Sequence, residues 1–218
     1  FMSTPLSQMP KPDAGQYQSQ RKLFLVPTFA FVRDLPEEAK ALLDRYWSEV
    51  RDHVHNLERS LGSATHVYHE MVFTDGDDGM AMLEELNPRG YSFIQAMCRS
   101  TARLEATEDR ELVAESSDWQ RCISVGLVSQ KVFVLAVEGL QEATRRRFEH
   151  MGLRMDETLL EREVGVLFVS ENHRIQFPSG IQVFYVSPPS LDALKRWINE
   201  QIRPPDIQRA PESEEPTM

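Results

Sequence analysis

The sequence predicts an α/β protein, a three-layer Rossmann-like sheet of about five mostly parallel strands with an extra helical segment at about residues 116–151. Two observations carry this. The run Val164-Gly165-Val166-Leu167-Phe168-Val169 has no polar face, so a strand there must be covered on both sides, as in a parallel sheet flanked by helices. Strand-like and helix-like stretches also alternate through residues 22–202, the rhythm of βα units. The 218 residues suit one such domain, 22–202, between a tail at 1–21 and an acidic, proline-rich tail at 203–218, both expected to be disordered.

The first strand is read at 22–28 (KLFLVPT). A long helix follows at 35–60, with Pro36, Glu37 and Glu38 in its first turn. Leu42, Leu43, Tyr46, Trp47, Val50, Val54 and Leu57 form its apolar stripe, and Gly62 is its C-cap. The second strand is read at 65–73, followed by helices at 77–86 and 92–103 and a short third strand at 104–106. Helix resumes at 108–114. Residues 119–151 give one or two more helices, broken near Val128-Ser129 and closed by Gly152. Strands at 164–169 and 181–186 precede a last helix at 191–202, with Ser190 as its N-cap.

Charge and composition exclude several functions. The net charge of −10 disfavours phosphate backbones and anionic lipid, and the one compact basic cluster, Arg145-Arg146-Arg147, reads as a solvated helix face. No apolar run is long enough to span a bilayer, and no charged segment leads into a secretory-type apolar stretch. Cys98 and Cys122 read as two buried thiols in a reducing compartment, so the expected location is cytoplasmic. No GxGxxG follows the first strand, where Pro27 and Phe29 stand, and neither a Walker A nor a GxSxG motif is found. No nucleotide cofactor is therefore expected.

The residues that follow the strands are the candidates for chemistry. If the strands are parallel, residues 74–78, 107–109 and 170–173 share one edge, the edge where open α/β sheets bind ligands. Carboxylates gathered beside an imidazole suit a hard divalent cation or general acid–base work. The candidate catalytic set is His173, Glu171, Glu108 and Asp109, and the candidate metal set is His173, Asp75, Glu108 and Asp109. A competing reading makes Asp77 and Thr107 or Glu108 helix caps and His173 a hydrogen-bonded turn residue. In HVYHE, period two puts His66, Tyr68 and Glu70 on one strand face and His69 on the other, so the two histidines cannot chelate one ion. Glu70 then lies at the strand's exposed end or pairs with a partner such as His66, while His53 and His55 lie on the helix surface.

At 23–28 (LFLVPT), 106–113 (ATEDRELV) and 164–186 (VGVLFVSENHRIQFPSGIQVFYV), the chain resembles a family of uncharacterised bacterial α/β proteins, over roughly residues 22–198. No activity comes with that resemblance. More distantly the chain is similar to the TraB/ChaN-like superfamily, where strands ending in GxxH and a glutamate after the second strand form a hydrolase-type or metal site. That similarity implies His173 as the second histidine and Glu70 as the glutamate. The first strand departs from the pattern, ending Val26-Pro27-Thr28-Phe29, and Ser170 stands where the glycine would be.

Two functions are expected from these readings. One is a metal-dependent hydrolase of a small molecule or phosphoester, using a divalent ion at the carboxylate-rich edge. The other is a non-catalytic dimeric binding or regulatory module. It rests on helices at 116–151 that carry apolar residues around much of their circumference and so call for a partner, most simply a second copy in a homodimer.

Overall fold

The computed structural model describes Tyr17, residues 19–29 and residues 35–202; the tail at 203–218 and most of that at 1–21 lie outside the described residues. β1 (Arg21–Thr28) leads through α1 (Glu37–Leu61) to β2 (His66–His69). Next come α2 (Gly76–Leu86), α3 (Pro88–Ser100) and the short β3 (Arg103–Leu104). Two long helices, α4 (Arg110–Ser124) and α5 (Gln130–Thr158), precede β4 (Val164–Ser170). β5 (Ile181–Tyr185) and α6 (Pro189–Ile202) close the described chain.

All five strands are parallel, in the order β3-β2-β4-β1-β5. Side chains alternate across the sheet. Phe24, Val26, Val166 and Phe168 face α1, α3 and α6, while Leu23, Leu25, Leu167 and Val169 face the second half of α5. Both faces of β1 and β4 are therefore apolar and covered, which is why these strands read as unbroken hydrophobic runs.

Pro27 sits in a central strand, where proline is rare. β5 ends at Tyr185, opposite Leu25, and the Val186 N–H donates to the Leu25 carbonyl at 2.8 Å. Residues two apart in a parallel ladder face the same neighbour, so the missing N–H of Pro27 points where β5 has already ended. Its carbonyl accepts the Tyr46 hydroxyl at 2.6 Å.

Several boundaries differ from the sequence reading. β2 stops at His69 instead of continuing to residue 73, because Met71 takes φ 72 and turns the chain. β3 begins one residue early. α3 begins at Pro88, its first turn capped by the Asn87 side chain on the Gly90 N–H at 3.0 Å. The expected break near residue 128 is present, but Gly152 does not close α5. A Cβ there would lie 3.0 Å from the Gln176 carbonyl, so glycine serves a close approach and the helix runs on to Thr158. Ser190 lies inside α6, where its N–H donates to the Glu49 carboxylate of α1 at 2.8 Å. Tyr17 packs edge-on against Phe184, ring centroids 5.3 Å apart, so contact with the domain starts before β1. Cys98 is half-buried and Cys122 exposed, which corrects the expectation of two buried thiols. Among the described residues no helix is long and apolar enough to cross a membrane.

Candidate functional site

A groove of about 1280 Å³ opens at the carboxyl ends of β2 and β4, between α5 and the segment after β4. Glu70, Arg147 and Ser170 line its inner part, and Asn172, Arg174 and Gln176 come from the segment after β4. Leu140, Phe148 and Leu153 of α5 add apolar wall.

Local geometry places each group. The β4 strand exits through a tight turn closed by His173 N–H to the Ser170 carbonyl at 3.1 Å. Ser170 N–H donates to Glu70 Oε2 at 2.7 Å, tying the ends of β4 and β2 together. Glu70 Oε1 lies 3.7 Å from Arg147 Nη2. Arg147 is buried and spends its guanidinium on Glu108, whose Oε2 accepts from Nε at 2.8 Å and whose Oε1 is bonded by Nη2. This corrects the reading of the arginine triplet as a solvated face. Arg145 is exposed, Arg146 is half-buried and pairs with Glu115 of α4, and Arg147 points in.

The sequence-predicted residues are spread over four separate jobs. The Glu108 side chain is fully buried, held by Arg147 and accepting the Met71 N–H at 2.9 Å. Asp109 is the N-cap of α4, its Oδ1 accepting from the Glu111 and Leu112 N–H groups at 2.9 Å each. Asp75 occupies the N-cap position of α2, exposed and without a side-chain cap bond. Glu171 accepts the Tyr185 hydroxyl at 3.1 Å and pairs with Lys195 of α6. His173 is half-buried, and its Nδ1 accepts the Ile175 N–H at 3.3 Å, which places the proton of the neutral ring on Nε2. Burial lowers the His173 pKa, against the pull of the Glu70 charge.

The proposed ligand sets therefore do not converge. Among the described residues no group of three or more His, Cys, Asp or Glu side chains could hold a metal ion. Glu108 and Asp109 adjoin in sequence, yet one neutralises an arginine and the other caps a helix through Oδ1, and they are not brought together with His173 as one ligand group.

Two buried histidines lie outside the candidate sets, and His66, suggested as a partner for Glu70, pairs with other carboxylates instead. His69 packs on the α1–α3 side of the sheet, its ring stacked near Phe168 at 5.9 Å. Burial lowers its pKa to about 4, so the ring is neutral. Nδ1–H then donates to the Glu70 carbonyl at 2.6 Å, and Nε2 accepts from the Asn87 amide at 3.3 Å. On the other face and at the opposite edge, His66 bridges Glu105 and Glu163, both at 2.9 Å. Burial raises the Glu105 carboxyl, but His66 and Arg103 outweigh it and hold it below the usual range. The His66 cluster bonds β2, β3 and the approach to β4, and lies away from the groove.

No protein-family model, no curated protein and no solved structure matches the chain.

Proposed function

We propose that this chain is a small-molecule-binding α/β protein, and that the groove beside Glu70 takes a ligand carrying one anionic group. Of the two functions expected from the sequence, this is the binding reading. The observation that carries it is the state of the three arginines in the groove. Arg145 is neutralised by Glu142 and Glu149, and Arg147 by Glu108 and Glu70. Arg174 has no hydrogen bond or ion pair among the described residues. A guanidinium without a carboxylate, beside the equally unengaged Asn172 amide, suits a carboxylate or phosphate group. Glu70, fixed by the Ser170 N–H, offers an acceptor for hydroxyl or amine groups on the same ligand.

The position supports the reading independently, since ligands of open α/β sheets bind outside the carboxyl ends of the strands. A thermal-shift screen of small carboxylates and phosphate esters, followed by calorimetry on the hits, tests it. Hits should lose roughly tenfold or more in affinity in Arg174→Ala, with a smaller loss in Asn172→Ala. Hits that bind Arg174→Ala as well as the wild type would discard the groove as the site.

A further inference from the structure

Beyond the groove, one surface has no cover. α4 and α5 pack on each other as an antiparallel hairpin, with Gly139 of α5 set against the Trp119 ring of α4. The end of the hairpin stands clear of the sheet. Val125 is 75 % exposed and Val128 fully so, and Val132, Phe133, Val134 and Leu135 are all substantially exposed on consecutive positions of α5. Four consecutive residues span most of a helix circumference. One neighbouring helix can cover only one side, and here Ala136 fills that role, buried against α4.

The charges around this apolar surface say what fits it. The chain has 34 acidic residues, yet none falls between Asp118 and Glu138. On α5, Lys131, Val134, Leu135 and Glu138 are exposed and recur at three- and four-residue spacing, so they form one stripe. Among the described residues neither Lys131 nor Glu138 has an ion pair. The stripe is therefore apolar at its centre, basic at one end and acidic at the other. Such a stripe complements itself when two copies run antiparallel.

We infer that the chain forms a two-fold homodimer in which α5 packs against α5 of a second copy. The symmetry axis passes between Val134 and Leu135. In that register Val134 meets Leu135 of the partner subunit, and Lys131 meets Glu138 of the partner subunit, each contact occurring twice. Over residues 130–139 the two hairpin tips form a short four-helix bundle, which gives that part of each α5 two helical neighbours in place of one.

Sedimentation equilibrium on the full chain at micromolar concentration tests this. The wild type should be a dimer, and Lys131→Glu or Glu138→Lys alone should weaken it by roughly tenfold, through two like-charge contacts per dimer. Mixing the two single variants restores both Lys–Glu contacts and should recover the wild-type association. Both residues are exposed, so the variants fold. A monomeric wild type would overturn the inference, as would a dimer that ignores both reversals or a mixture no tighter than its components. Sedimentation of a monomer with phosphatidylserine-containing vesicles would overturn it too, assigning the hairpin to a membrane surface.

Discussion

Arg147 grips Glu108 across 39 residues of sequence, through Nε at 2.8 Å and through Nη2, with the Glu108 side chain wholly out of solvent. The pair also fixes its neighbours, since Glu108 accepts the Met71 N–H at 2.9 Å and Arg147 Nη1 donates to Ser116 at 3.3 Å. Arg147→Ala leaves a buried carboxylate without its cation and should cost about 3–5 kcal/mol. The double variant Arg147→Met/Glu108→Gln removes both charges while keeping an acceptor for Met71. It should recover most of the loss. Urea unfolding of the three proteins decides this, and a double variant no more stable than Arg147→Ala would refute the account.

His69 makes stability depend on pH. Its folded pKa is depressed by burial from 6.5 to about 4, so the unfolded chain binds the proton first as pH falls. Stability attributable to this ring is fully present above pH 6.5, declines between pH 6.5 and about 4, and levels off below. The loss across that window should reach about 3 kcal/mol, following 1.36 kcal/mol per unit. Urea midpoints measured above and below the window should show it in the wild type. His69→Gln, which cannot titrate, should lose that part of the slope; an unchanged slope would mean other groups carry it.

The parts of this molecule that read plainly from its sequence are those fixed by burial alone. β1 and β4 are covered on both faces, and α1 turns one stripe inward through Leu43, Tyr46, Trp47, Val50 and Val54, so each carries its own signature. Boundaries that depend on distant groups do not read. The end of β2 follows from Met71 at φ 72, held by a carboxylate 37 residues downstream. Gly152 looks the same in sequence whether it stops a helix or admits the Gln176 carbonyl to 3.0 Å of where a Cβ would be.

The candidate site was legible as a place and much less as a set of roles. The strand-end residues do gather at one edge, but Glu108 and Asp109 answer to Arg147 and to their own helix. One missed signal was available. Met151 and Met155 form the buried stripe of α5, and one turn further back along it the stripe lands on Arg147. Only that arginine of the triplet had to find a buried carboxylate.

Gly139 tests whether the α4–α5 hairpin is as tightly closed as its geometry states. In an exposed helix interior, Gly→Ala gains about 1 kcal/mol from propensity. Here a Cβ would stand 2.5 Å from Cε2 of Trp119, too close for any real contact, so the helices must separate or the indole must turn out. Gly139→Ala should therefore lose about 1–3 kcal/mol, the range for overpacking a close contact. The emission attributable to Trp119, taken as the difference from Trp119→Phe, should shift to longer wavelength as water reaches the ring. A more stable Gly139→Ala with unchanged emission would show that the two helices already stand further apart.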